Sequence, residues 1–253
     1  MFGILKNILD SNEKQIKGYQ KDIDKINSLE SVYKDMSYED IRSKVEELKK
    51  ELEPLLEKIP EEQKQSIKTL FIDNKKVLSK EEQALKDKLL EIMPDAFAMV
   101  REVAGRKMDR RHFDVQLTGG LVLAEGKIAE LKTGEGKTQV AHLPLFLYGL
   151  TGRGAHLVTV NDYLTKRDGE YAGHILSELG LSLGIISSQG SFKFISDDEI
   201  EKYKGKDEYN ERMKIKIQNP GDVIGSNLIE VTKEEAYKCD VVYGTNNEFG
   251  FDY

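Results

Sequence analysis

Apolar residues in the first part of the chain recur at the spacing of a helix. Ile16, Tyr19, Ile23, Ile26, Leu29 and Tyr33 lie three or four positions apart, which puts them on one face of a long helix whose stripe needs a partner. Ahead of them, Phe2, Ile4, Leu5, Ile8 and Leu9 predict a short amphipathic segment. Ser37 followed by Asp40 has the form of a capping box. It opens a second helix, YEDIRSKVEELKKELEPLLEKI, which Pro54 is expected to end or kink. Between residues 55 and 90 Lys and Glu are dense and Leu and Ile sparse, so this span predicts a solvated helical insertion. Residues 1–110 therefore predict an extended helical region.

From about residue 113 the pattern changes to short β-branched runs separated by glycines and helical periods. VLAEGKIAEL predicts a strand leading into a glycine loop, and KTQVAHLPLFLYGL a helix behind that loop. AHLVTVND predicts a buried strand with a polar end, DYLTKRDGEYAGHILSELG a helix stopped at Gly180, and LSLGIISS another strand. CDVVYGT predicts the last strand. The polar span 189–236, with its Asn219–Pro220–Gly221 turn signal, predicts an insertion before it. Strand, helix, strand in this order predicts an α/β domain over residues 111–253 with a parallel, incomplete sheet. An unpaired edge on such a sheet predicts aggregation or dependence on a partner.

Composition narrows the function classes. Thirty-eight basic against 45 acidic residues leave a net charge of −7, which argues against a chain built to grip nucleic acid, so no nucleic-acid partner is expected. Cys239 is the lone cysteine, so no internal disulfide forms. His112, His142, His156 and His174 have no metal-ligand spacing, and no structural zinc is expected. No run approaches the roughly 18 apolar residues of a membrane span. The first residues lack the basic flank and cleavage site of a secretory signal, so the expected compartment is the cytoplasm.

The densest chemistry lies in ELKTGEGKTQVAH, residues 130–142. The full phosphate-loop pattern would need glycine five positions before Gly136, where this chain has Leu131. What remains is the shorter form TGEGKT. Gly134 and Gly136 let the backbone turn and aim N–H groups at phosphate oxygens, and the following helix adds its positive N-terminal end. Lys137 suits the β and γ phosphates, and the Thr138 hydroxyl suits Mg²⁺. The alternative is a glycine-rich turn that happens to precede a lysine. An acidic pair that positions water is expected after another apolar strand. The predicted strands instead end in Asn161–Asp162, Ser187–Ser188 and Gly244–Thr245, so the catalytic residues stay unassigned and hydrolysis by this chain alone is not expected.

Four stretches, RHFDVQLTGGLVLAEGKIAELKTGEGKT, HLVTVNDYLTKRD, ELGLSLGII and VVYGTNNEFGFDY, together resemble the N-terminal part of the SecA family, the ATPase motors of bacterial preprotein translocation. The opening MFGILKNIL is similar too, whereas the spans near 55–90 and 190–236 are longer than the usual family pattern. The resemblance implies a RecA-like P-loop motor domain that binds ATP and Mg²⁺. On it, Gln116 reads the adenine edge, Gly134, Glu135, Gly136, Lys137 and Thr138 form the phosphate loop, and Thr138 meets the metal. Asp162 and Arg167 match a motif linking nucleotide state to domain movement. Asn246, Asn247 and Glu248 match one that braces the loop, the alternative there being core packing by Phe249, Phe251 and Tyr253. The implied partners are the Sec protein-conducting channel, preproteins, an anionic membrane surface and a second protomer, on the cytoplasmic face of the cell membrane. Phe2, Leu5, Ile8 and Leu9, with Lys6 and Lys14, would insert shallowly there, or else pack on their own domain or on the second protomer. Two other readings stay open: a helicase-like, nucleic-acid-dependent ATPase fragment, and a non-catalytic nucleotide-binding module.

Overall fold

The N-terminal helices all serve one long partner. The structure, a computed structural model, describes residues 13–60, 78–203 and 227–252. Helices α1 (Gln20–Ser28), α2 (Glu30–Lys34) and α3 (Tyr38–Glu57) pack against α4 (Lys80–Met108). The first apolar stripe is used as its spacing predicts, with Tyr19, Ile23, Ile26 and Tyr33 buried, although Ile16 stays 56% exposed and the helix is interrupted at Leu29. Ser37 caps α3 as expected: the Asp40 N–H donates to its hydroxyl at 3.1 Å, and its own N–H donates to the Asp40 carboxylate at 3.0 Å. Ile41, Val45, Leu48 and Leu52 then line the face of α3 that is buried. Pro54 does not end this helix, which runs on to Glu57. So close to the C-terminus a proline removes one backbone bond and leaves little helix to disturb.

Nor is the Lys/Glu-rich span only a solvated face. Residues 61–77 lie outside the described residues, but on either side of them Ile59, Leu85 and Leu89 are buried, and a Ser79–Glu82 capping box starts α4 inside the span. Sparse apolar residues at helical spacing were enough to seat it.

Helices α5 (Asp114–Ala124) and α6 (Lys137–Gly149) lie against each other, and α6 also touches α4. The expected strand before the glycine loop is absent: residues 121–124 finish α5, and residues 127–132 form no strand, with Ile128 96% exposed. Close helix packing took this segment. A Cβ at Gly120 would stand 2.5 Å from Leu143 Cδ1, so α5 sits on α6 at a distance that a larger residue forbids. Among the described residues no strand lies beside residues 127–132 to take up their backbone bonds.

The sheet holds β1 (Ala155–Thr159), β2 (Leu183–Ser187), β3 (Gly190–Phe194), β4 (Leu228–Val231) and β5 (Val241–Thr245), in the order β1-β5-β2-β3-β4. β1, β5 and β2 run parallel, with Ala155 and Leu183 both opposite Val241. The expectation of a parallel sheet holds for these three and fails for the other two. β2 turns into β3 through a two-residue hairpin, Ser188–Gln189, a connection that only antiparallel strands can use, and β4 pairs antiparallel with β3. Part of the polar span 189–236 is thus sheet: it carries β3, α8 (Asp197–Tyr203), β4 and α9 (Lys233–Tyr237), while residues 204–226 lie outside the described residues. β1 is an edge strand and not a buried one, with Val158 59% and the following Val160 80% exposed; β2 and β5 are buried along their whole length. α7 (Asp162–Glu178) packs on β2 and β5, and α10 (Asn246–Asp252) follows β5. One apolar cluster runs from Ile23 in α1 through Phe97 in α4 to Tyr243 in β5, so the helical part and the sheet share a core. Among the described residues no helix is long and apolar enough to cross a membrane.

Candidate nucleotide site

The glycine loop owes its shape to two residues that only glycine suits. Gly134 has φ +88° and Gly136 φ +80°, both left-handed, and Gly136 stands at the N-terminus of α6. A Cβ on Gly136 would come within 2.3 Å of Gln116 Nε2, so the loop and the glutamine are in direct contact. Gln116, buried near the start of α5, accepts the Phe113 N–H at 3.0 Å. Its amide donates to the Glu135 carbonyl at 3.0 Å and to Gln139 Oε1 at 3.2 Å. Lys137 is exposed, and its ammonium donates to the Lys132 carbonyl at 2.7 Å. The Thr138 hydroxyl donates to Asp168 Oδ2 at 3.5 Å. Arg167 Nε donates to the other oxygen of Asp168 at 2.8 Å, and Arg167 Nη2 lies 2.7 Å from that oxygen.

Gln116, Gly134, Glu135, Gly136, Lys137 and Thr138 are therefore gathered at one helix end, although Gln116 is 18 or more positions from the rest. A bound magnesium nucleotide fits what they present: N–H groups at the end of a 13-residue helix, a mobile-ended cation in Lys137, and a hydroxyl whose proton has an acceptor. Of the other sequence candidates, Arg167 reaches the site through Asp168. Asp162 accepts from the Ser188 backbone N–H at 3.2 Å and from the Ser188 hydroxyl, and the cap of α7 is Asn161, which accepts the Leu164 N–H at 2.8 Å. Glu248 pairs with Lys233 at 3.1 Å. Phe249 stacks on His156 at 4.9 Å, whereas Phe251 is 85% exposed; Tyr253 and the Met1–Leu9 segment lie outside the described residues.

Behind the loop is a wall of buried polar groups. His112 Nε2 lies 2.9 Å from the Gln139 carbonyl, and since a carbonyl only accepts, that nitrogen carries the proton of a neutral ring. Burial, with the charges of Arg101 and Arg111, holds His112 down at about 4 against the opposing pull of that carbonyl. His142, stacked on Tyr171 at 5.5 Å, is held at about 3 by burial and by His112. Arg101, 4% exposed, donates to the His112 carbonyl at 2.9 Å, to Asp114 at 2.9 Å and to Asn27 of α1. The N-terminal helices are in this way tied to the first turn of α5, two residues from Gln116.

Sequence reasoning missed Asp168, Gln139 and His112. One signal for Asp168 was available: buried Thr165, Gly169 and Ala172 set the inward face of α7, and Asp168 adjoins it, on a helix that starts where β1 ends.

A mixed α/β sheet whose glycine loop opens a helix defines the class, a RecA-like domain of the DEAD type. The chain belongs to the SecA DEAD-like domain family, which it matches over residues 5–253. Its similar curated relatives are protein translocase subunits SecA: 39% identical in Heliobacterium modesticaldum, 40% in Carboxydothermus hydrogenoformans and 42% in Herpetosiphon aurantiacus, each alignment covering all of this chain. The chain spans 22%, 21% and 24% of those relatives' lengths.

Proposed function

We propose that this chain is the ATP-binding portion of a SecA-type motor, which couples nucleotide binding and hydrolysis to transport of preproteins through the Sec channel. The observation that carries the reading is the junction of two left-handed glycines with α6, where Lys137 and Thr138 begin the helix and Gln116 touches the loop. Within it, the loop N–H groups and Lys137 hold the β and γ phosphates, Thr138 meets Mg²⁺, and Gln116 offers an amide to the adenine edge. Bound Mg²⁺ supplies charge neutralisation on the phosphates. Hydrolysis calls for a water-positioning acid, and β1, β2 and β5 run into Val160–Asn161, Ser188–Gln189 and Asn246–Asn247. We therefore assign this chain nucleotide binding without turnover of its own. The reading extends to a cytoplasmic protein peripheral to the membrane, with the Sec channel, preproteins, anionic lipid and a second protomer as partners.

Calorimetric titration of Mg-ATP into the chain and into its Lys137→Ala variant tests the reading. Binding to the parent that the variant loses supports it. No binding to the parent refutes it.

A further inference from the structure

Asp168 has no part in the phosphate loop as read above, yet it faces Thr138 across a gap that joins α6 to α7. We propose that Asp168 is the positioning carboxylate for the cation site, accepting the Thr138 hydroxyl proton so that the hydroxyl oxygen presents its lone pair to a divalent metal. This rests on the nucleotide-binding reading and adds a residue to it.

A hydroxyl ligates a cation through its oxygen, so its O–H bond has to point away from the metal and needs an acceptor there. A carboxylate is the strongest acceptor a side chain offers, and its charge also enriches the ligating oxygen. The two oxygens of Asp168 are divided between two tasks. Oδ1 takes the Arg167 guanidinium at 2.8 and 2.7 Å, which fixes the carboxylate plane, and Oδ2 takes Thr138 Oγ1 at 3.5 Å. That last contact is long, at the outer limit of a hydrogen bond. Asp168 is itself only 17% exposed, so water competes weakly for Oδ2. The wall near it is dry: Tyr243 on β5 is fully buried, its hydroxyl has no hydrogen-bond partner, and burial together with the negative charge of Asp168 keeps that phenol protonated. A purely structural Arg167–Asp168 pair accounts for Oδ1 and leaves Oδ2 turned toward Thr138 without a purpose.

The test uses the full chain with a fluorescent ATP analogue, titrated with MgCl₂ after stripping with EDTA. Losing an outer-shell partner of a metal ligand costs about 10- to 100-fold in metal affinity, so Asp168→Ala is expected to raise the half-effect magnesium concentration by about tenfold or more. Nucleotide affinity in EDTA stays within about twofold, because this loss acts only through the metal. In a Thr138→Ala background Asp168→Ala adds nothing further, since the carboxylate then has no hydroxyl to hold. Asp168→Asn keeps the shape and an acceptor oxygen, and gives a smaller shift in the same direction; it carries the test if the alanine variant misfolds. An unchanged magnesium midpoint in these variants, or additive effects of Thr138→Ala and Asp168→Ala, overturns the proposal while leaving the loop reading intact. Failure of the parent chain to bind the analogue at any magnesium concentration overturns both.

Discussion

Arg101→Met removes a buried charge with three acceptors while keeping an apolar stem of similar length. The guanidinium is 4% exposed and serves three acceptors: the buried His112 carbonyl at 2.9 Å, Asp114 at 2.9 Å, and Asn27. These do not count equally. The Asp114 side chain is 54% exposed, so its ion pair is screened by water and contributes roughly 0–1 kcal/mol. The His112 carbonyl is enclosed and its other donor, Arg111 Nη1, stands off at 3.4 Å, so losing the 2.9 Å bond leaves a poorly satisfied buried acceptor at a cost of about 1–3 kcal/mol. Release of the buried cation from its desolvation offsets part of the sum. A net loss of roughly 2–3 kcal/mol follows, which for a chain of this size lowers the thermal midpoint by roughly 4–12 °C. Thermal and urea melts followed by circular dichroism measure it, with Asp114→Asn as the contrast, expected to cost under about 1 kcal/mol. If Asp114→Asn proves as damaging as Arg101→Met, the exposed ion pair and not the buried carbonyl bond holds the N-terminal helices to α5, and the reasoning fails.

Two further changes probe the core and its charge. Gly184→Ala in β2 places a Cβ 2.3 Å from the Ala236 carbonyl oxygen and 2.9 Å from its carbon, atoms of a backbone that cannot step aside, so a loss of about 1–3 kcal/mol is expected in urea unfolding. An unaltered midpoint would mean that α9 does not seat against β2. His112 and His142 are held neutral, at about 4 and about 3, while in the unfolded chain each takes up a proton near pH 6.5. The unfolded state therefore binds more protons between these limits. The stability is fully present above pH 6.5 and falls as pH drops toward 4, by roughly 1.4 kcal/mol per pH unit for each ring. Urea midpoints from pH 7.5 to 5 in the parent and in a His112→Gln/His142→Phe variant check this, and equal slopes in both would refute it.

What could be read along the chain was what neighbouring residues decide. The stripe of Ile41, Val45, Leu48 and Leu52 and the Ser37–Asp40 box lie within one helix, and both formed as their spacing requires. TGEGKT is likewise local, because positive φ at Gly134 and Gly136 is a property of glycine itself. The strand expected from VLAEGKIAEL failed on a matter of partners: alternating apolar residues make a strand only where another strand accepts their backbone bonds, and here the Gly119–Gly120 face drew the segment onto α6 as helix. The start of α5 was hidden for a different reason. Its first turn follows Phe113, which has no capping oxygen, and Gln116 reaches back to the Phe113 N–H in its place. Asp168 and Thr138 are 30 positions apart, and their meeting depends on how α7 crosses the sheet, which no short window of sequence contains. The antiparallel β3–β4 pair was obscured by polarity, since Lys193 and Glu230 sit at intermediate exposure within the two strands.

The internal bonds of the candidate site divide its ligand contacts into two kinds. Lys137 is exposed and holds a neutral backbone carbonyl, that of Lys132. Exchanging that neutral acceptor for an anionic phosphate oxygen adds the attraction of opposite charges to a bond whose donor is already ionised, so the exchange favours the ligand and moves no other residue. Gln116 is differently placed. Its amide is buried and engaged at both ends, with the Phe113 N–H on the oxygen and the Glu135 carbonyl and Gln139 on the nitrogen. Turning it toward an adenine edge would break the cap of α5 and release the carbonyl that fixes the loop beside Gly136, so that contact cannot form without movement of both. Under the proposed reading the phosphates are held by groups that need only side-chain rotation, whereas base recognition is coupled to the start of α5. There, through Asp114 and Arg101, the coupling reaches Asn27 and the N-terminal helices. On that reading, the segment that would respond to the base is the one bonded through Arg101 to Asn27 in α1.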